Sequence, residues 1–382
     1  LGDVYKRQLL YAASPLFNTD DPYLPLSGNN DLIGYGNYSK ERWNEAAKAA
    51  KAAITAVESS GYYDLYDEGT PETNYEHVWT APDNKEIILA NKKYRNFTTS
   101  SHPITSNIPA WAGSSWSDGG LFTTFNFVRF YEKKDGNQQT WNMDGGDDLL
   151  EKYYELDPRF AQTIAAHGAN WNTEIGILNF LPGGAHNVAN DKTKHLVRKW
   201  VPRVLRATAP RNSTNMDWIV FRVAELYLNY AEALNELTTS YEVPSWDGSI
   251  TYTISRNVED MRTGIKPIRM RAGVPDYDAD TYSNPIKFRI KLKRERQIEL
   301  FAEGKRYYDL RRWKDAEVEE AMPVYGCYTF MSNANKGLFH TPVPISNLSA
   351  TFSPKMYFWP IKHSELKRNK LLTQNPGWTY ND

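Results

Sequence analysis

The chain has one cysteine, Cys327, in 382 residues. A disulfide within the chain is therefore excluded, and so is a cysteine-based zinc cage. A lone thiol of this kind reads as a small buried hydrophobe. Apolar runs are short. No stretch approaches the roughly 20 apolar residues that span a bilayer, and Leu1–Gln8 has mixed charge and no run resembling a secretory leader. The formal net charge of −1 gives no overall field that would gather nucleic acid or an anionic membrane surface. The seven histidines are scattered, without metal-ligand spacing. The nucleophile elbow G-x-S-x-G, H-E-x-x-H, the Walker phosphate loop and G-x-G-x-x-G are all missing. No catalytic residue, metal or cofactor is expected. Paired carboxylates for glycoside hydrolysis leave no linear signature, so that reading stays open.

What the chain has in excess is aromatic surface: 14% of residues, with 12 Trp and 25 Tyr. Each Trp and Tyr carries a polar atom that needs a partner when buried. The excess fits a protein that presents aromatic faces, on which the C–H faces of sugar rings stack. It also fits a large helical protein that packs aromatics between lobes.

Helical text begins at once with Leu9-Leu10-Tyr11-Ala12-Ala13, as though the start of the helix were missing. The chain reads as part of a longer product, and Leu1–Gln8 is a candidate for foreign sequence. After a loop from Asn18 to Tyr38, Ser39 and Glu41 open a helix whose inner face is Trp43, Ala46, Ala50, Ala53, Ile54 and Val57, ending at Gly61. Glu86–Ala90 is a short apolar run with strand character. Residues 94–142 show no sustained helical period, and a loop of that length implies a function. Asp148–Tyr154 forms a short helix that Asp157-Pro158-Arg159-Phe160 ends. Asp217 opens the clearest helix, with Ile219, Val223, Leu226, Tyr230, Ala233, Leu234 and Leu237 as its stripe. Arg256–Arg271 is helical with an interruption near Gly264 and Pro267. Asn284 caps a further helix with Pro285 at its first position; Ile290, Ile298 and Phe301 mark its inner face. Arg294 falls within that stripe and is expected to be buried against a carboxylate. The tail from Phe352 to Trp378 is extended, with Tyr357–Ile361 as its packed centre. The expected fold is mainly α: tetratricopeptide-like helical hairpins beside an irregular, loop-rich lobe of about residues 62–215, with the helical part at about 216–382.

Several segments carry a resemblance. Arg294–Trp313, RERQIELFAEGKRYYDLRRW, resembles the ER-x-IEL-x-x-EG-x-R-x-x-DLRRW signature of the SusD/RagB family almost throughout. Phe221–Ala233 is similar to its R-x-AE-x-x-L-x-YAEA helix, and Met270–Pro275 to its RAG-x-P turn. Trp359-Pro360-Ile361 with Glu365, Asn369 and Gln374–Trp378 is similar to its C-terminal elements. All of them occur in order, from about Leu9 to the end. The resemblance implies a four-repeat helical scaffold, a lipid-anchored protein on the outer face of the outer membrane, and a TonB-dependent transporter of the SusC kind as partner. It implies non-catalytic nutrient capture, with a glycan as ligand and membrane contact only through an anchor absent from this sequence. The family pattern fixes no binding position.

The signature residues Arg222, Glu225, Glu295, Arg296, Glu299, Glu303, Gly304, Arg306, Asp309, Arg311 and Trp313 read as structural. Glu295, Glu299 and Glu303 recur every four residues beside Lys291, Arg296 and Arg306, a pattern of ion pairs that holds helix to helix. The binding candidates are Trp111, Trp116, Trp141 and Trp171, which sit in polar, Gly-rich surroundings where partial exposure is expected. Asn107, Asp118 and Asn142 lie nearby and have the chemistry to fork onto sugar hydroxyls. Trp43, Trp218, Trp313 and Trp359 lie in helix or tail patterns and read as packing residues. Glu132, Asp135, Asp144, Asp147 and Asp148 read as a solvated acidic loop. The function expected is capture of a poly- or oligosaccharide and its delivery to the transporter. A peptide-binding member of the same family and a helical glycoside hydrolase are the alternatives.

Overall fold

The computed structural model describes residues 2–26, 28–92, 97–98, 121–144, 147, 149–181, 183–186, 193–206, 210, 212–245, 247–327, 342–345 and 350–380, with backbone alone for 2–6 and 97–98. In chain order the helices are α1 (Gly2–Ala13), α2 (Glu41–Ser60), α3 (Asn74–Thr80), α4 (Phe125–Val128), α5 (Leu149–Glu155), α6 (Arg159–Thr163), α7 (Val223–Asn235), α8 (Val258–Arg271), α9 (Ala279–Ser283), α10 (Pro285–Glu299), α11 (Arg306–Trp313), α12 (Ala316–Glu319) and α13 (His363–Arg368). The strands are β1 (Ile87–Asn91), β2 (Phe97–Thr98), β3 (Ile164–Ala165), β4 (Leu196–Val197), β5 (Ser213–Thr214), β6 (Trp218–Arg222), β7 (Tyr241–Pro244), β8 (Thr251–Ile254), β9 (Tyr325–Cys327) and β10 (Pro342–Pro344). They form only two-stranded antiparallel pairs among the described residues: β1 with β6, β2 with β5, β3 with β4, β7 with β8, and β9 with β10. The fold is helix-rich with short strands, as expected.

Helix α2 packs on α1 and α7, and α7 packs on α8 and α10. Every residue of α7 is buried. Its apolar positions meet Trp43, Ile54, Ile265, Ile268 and Leu292 in the largest core. Its polar positions Glu225, Asn229 and Glu232, with Glu236 just past its end, fall three or four residues apart and so form one stripe. The C-terminal signature satisfies that stripe. Arg296 donates to Asn229 at 2.7 Å and Arg312 to Glu232 at 2.7 Å. The Trp313 indole also donates to Glu232 at 2.7 Å, Lys305 lies 3.3 Å from Glu225, and Arg289 lies 2.7 Å from Glu236. Asp309 ties the set together through Arg296 at 2.7 Å and Arg312 at 2.8 Å. The D-L-R-R-W motif is thus the complement of a polar face on a fully buried helix.

Helix α8 runs without a break through Gly264 and Pro267. The sequence pattern suggests an interruption because both residues are poor helix formers. Gly264 serves close approach instead: a Cβ there would sit 2.6 Å from the Tyr227 carbonyl oxygen and 2.7 Å from the Ala231 Cβ. Gly264→Ala gains about 1 kcal/mol of helix propensity. Forcing α7 and α8 apart costs about 1–3 kcal/mol. A net loss in chemical denaturation is expected; a gain would show that the contact yields.

Four further expectations are corrected. The helix beginning at Asp217 is a strand up to Arg222, because Trp218, Ile219, Phe221 and Arg222 pair with β1. Asp157–Phe160 opens α6 rather than closing α5, with the Asp157 carboxylate accepting from the Arg159 backbone at 2.8 Å. Ile290 is 56% exposed, so α10 buries Phe288 and Leu292 beside the expected Ile298. Trp359 in the tail is 69% exposed, and Tyr357 alone is the buried centre of that segment. The cap at Asn284 forms as expected, with its side chain accepting from Ile286 and Lys287 at 3.0 and 3.1 Å.

Cys327 is buried, as expected, beside His195 and Tyr153. Burial lowers the His195 pKa from 6.5 to about 3. Below pH 6.5 the unfolded chain binds a proton that the folded chain refuses. Stability is therefore fully present above 6.5 and falls by about 1.4 kcal/mol per pH unit as pH drops towards 3. In thermal melts between pH 7 and 4.5, His195→Gln is expected to flatten this slope; an unchanged slope would contradict neutral burial.

Candidate functional site

Two kinds of arrangement compete for the functional residues: a buried ionic network and an open aromatic cleft. The network forms where β1, β6, α6, α8 and α10 meet. Arg159 bonds Asp157 at 2.6 Å, Glu295 at 2.6 Å and Glu299 at 2.8 Å. Arg222 bonds Glu86 at 2.6 Å, Glu299 at 2.6 Å and Glu303 at 2.7 Å. Arg269 bonds Glu295 at 2.8 Å and Glu132 at 2.9 Å. Arg271 bonds Glu86 at 2.6 Å and also pairs with Glu299. Lys199 joins Glu303 to the Tyr75 hydroxyl, each at 2.6 Å.

Burial pushes the Glu299 carboxyl up, but Arg271, Arg222 and Arg159 more than reverse it and hold it well below the usual carboxylate range. Glu295 and Glu303 are lowered on the same balance of burial against neighbouring cations. Such groups are charged, paired with one another and closed to solvent, so this cluster is scaffold. The four-residue spacing of Glu295, Glu299 and Glu303 does mark ion pairs that hold one element to another, as expected. The partners come from distant segments, and the pairs are buried. Glu132, read as part of a solvated loop, is buried here as well, against Arg269 and Lys291.

The cleft, of about 460 Å³, opens between α4 with its following turn, the hairpin around Gly136, and α10 to α12. Trp141, Phe130, Asn126, Gln138, Gln139, Arg129, Arg294 and Arg306 line it. Trp141 is half-buried, held edge-on by Phe125 at 5.1 Å between centroids and tilted towards Tyr153 at 6.3 Å. Its indole nitrogen is buried without a hydrogen-bond partner. Gln138 donates to the Arg129 carbonyl at 3.1 Å, and Gln139 to Glu155 at 2.9 Å, which fixes both amides in the wall. Arg306 lies over the Phe130 ring at 5.1 Å and pairs with Glu319. Arg294 is half-buried. It donates to Gln138 and lies 3.8 Å from Glu132, a looser and more open placement than its position in the stripe suggests. An aromatic floor with forked donors and fixed amides suits a polyhydroxylated ligand.

Of the binding candidates among the described residues, Trp141 alone lines this cleft. Asn142 is exposed beside it and is not among the lining residues; its side chain accepts from the Asp144 backbone at 3.0 Å. Trp171 is 2% exposed and belongs to a core with Val78, Trp79, Leu178 and Trp200, so its ring presents no open face. Trp111, Trp116, Asn107 and Asp118 lie outside the described residues. Sequence reasoning missed Gln138, Gln139 and Arg129 as cleft residues; the polar doublet after the Gly136 turn was the available signal. It also placed Trp359 in the core, whereas its exposed ring lies 5.9 Å from Tyr307.

Residues 75–378 match the model of the SusD family. Among solved structures, the protein BT4246 aligns over 99% of this chain and 72% of its own length, with 22% identity and a TM-score of 0.79. A SusD-like protein from Bacteroides fragilis NCTC 9343 aligns over 93% of this chain and 68% of its own, with 25% identity and a TM-score of 0.64. A SusD-like carbohydrate binding protein from the same strain aligns over 87% and 62%, with 22% identity and a TM-score of 0.58. No curated protein matches the sequence. The chain belongs to the SusD family.

Proposed function

We propose that the protein captures a poly- or oligosaccharide at the cell surface, without cleaving it, and passes it to a TonB-dependent outer-membrane transporter. The observation that carries this reading is the Trp141 cleft, where an aromatic face and fixed hydrogen-bonding groups meet on a rigid scaffold. The family supports glycan binding, and one structural relative is itself described as carbohydrate binding. Hydrolysis of a glycosidic bond needs two carboxylates flanking the bond. Glu319 is the one carboxylate lining the cleft among the described residues, and it is engaged by Arg306. Membership of the family supports a surface location through a lipid anchor. No helix among the described residues is long and apolar enough to cross a membrane.

Titration of the protein with oligosaccharides, followed by tryptophan emission, tests the reading. Saturable change with at least one glycan is expected, together with co-purification of a transporter barrel from outer membranes. Saturation by peptides and by no glycan would overturn it.

A further inference from the structure

A second cleft, of about 410 Å³, lies on the other side of Tyr153, between α5 and the loop around Gly168. Its walls are Leu150, Tyr154 and Ile177, the last two each 69% exposed at its rim. Two cations line it, Arg198 and Arg203, and no aspartate or glutamate does.

Arg198 is anomalous for this protein. Among the described residues every other buried arginine pairs with a carboxylate: Arg159, Arg222, Arg269, Arg271, Arg296, Arg311 and Arg312. Arg198 is 4% exposed; among the described residues its side chain donates to the carbonyl oxygens of Asn170 at 3.2 Å and Trp171 at 3.3 Å and lies over the Trp171 ring at 5.0 Å, with no carboxylate in salt-bridge reach. Five N–H donors on a guanidinium are far from satisfied by two long bonds. Burial, and then the neighbouring Arg203, lower its pKa to about 9, with Glu76 opposing them in part. Arg203 reaches Glu76 at 2.8 Å through one terminal nitrogen, and its Nε is buried without a partner. A buried charge without a salt-bridge partner is costly, and an anion bound against it lowers that cost. The guanidinium fork fits a planar carboxylate in two-point fashion. The volume is more than a small inorganic anion fills and lies within the range of small-molecule sites, about 300–1,000 Å³. The apolar rim offers a surface for a ring.

We infer that this cleft is a second ligand site that takes the carboxylate of an acidic sugar, a uronate, on Arg198 and Arg203, with the sugar ring against Tyr154, Leu150 and Ile177. The choice of a sugar rests on the glycan-capture reading; the choice of a carboxylate rests on the two arginines.

The test is calorimetry of the protein with a galacturonate trisaccharide, the matching neutral galactose trisaccharide, and an acidic dipeptide, repeated on Arg203→Gln and Arg198→Met. The uronate is expected to bind at least about tenfold more tightly than the neutral sugar, which is about 1.4 kcal/mol. Arg203→Gln, at a partly exposed side chain, is expected to remove most of that preference while leaving the fold intact. Equal affinity for acidic and neutral sugars, or an unchanged preference in Arg203→Gln, would overturn the inference. So would tighter binding of the dipeptide than of the uronate. Arg198→Met is expected to abolish the preference; retention of it by a folded variant would also overturn the inference. Neutral glycan binding that depends on Trp141, with no uronate preference, would sink this site and leave glycan capture standing.

Discussion

Glu299→Ala is expected to lower stability by about 3–5 kcal/mol, the cost of breaking a buried ion pair from one side. Glu299 faces Arg159, Arg222 and Arg271 and is fully buried, so its loss leaves three guanidiniums short of a partner with no water to replace it. In thermal melts this corresponds to a fall on the order of 10 °C. Glu299→Gln keeps the shape and removes the charge, and a loss of similar size is expected. Glu365→Ala, which removes the exposed partner of Arg368, is the contrast, with an expected change of about 1 kcal/mol or less. The depressed carboxyl pKa of Glu299 gives the same interaction a pH signature. Its contribution is present above the ordinary glutamate range near 4.5 and is lost as pH falls further. A Glu299→Ala variant that melts with the parent would remove the network from the account of stability.

Trp141→Ala is expected to weaken binding of whichever glycan the protein retains by at least about tenfold, or about 1.4 kcal/mol. The ring supplies the largest aromatic face in the cleft, and stacking partners of this size dominate such sites. Trp141 also leans on Phe125, so the alanine variant loses some packing. Affinity is therefore measured well below its melting temperature. Trp141→Phe, which keeps an aromatic face, is expected to recover part of the loss. Full affinity in Trp141→Ala would move the ligand surface away from this cleft.

What could be read in advance depended on how local its cause was. The Asn284 cap with Pro285 is settled within four residues, and the pattern names it. The signature around Glu295–Trp313 was readable as structural because alternating charge on a helix implies pairing. Its burial was not, since Glu86, Arg159 and Arg222 reach it from distant parts of the chain. Trp218–Arg222 matches helical spacing, yet it pairs with Ile87–Asn91, more than a hundred residues away. Trp171 stands among glycines and asparagines and still enters a core, because Val78, Trp79 and Leu178 close over it. The cleft draws on four separate segments, so only Trp141 stood out from composition. Gln138, Gln139 and Arg294 acquire their role from the fold.

The central claim is binding without chemistry. Migration of the folded protein through native gels cast with a panel of polysaccharides, with reducing ends assayed in the same mixtures, tests it most directly. The account predicts retardation by at least one glycan and no new reducing ends; release of reducing ends, or free migration through every glycan, would contradict it.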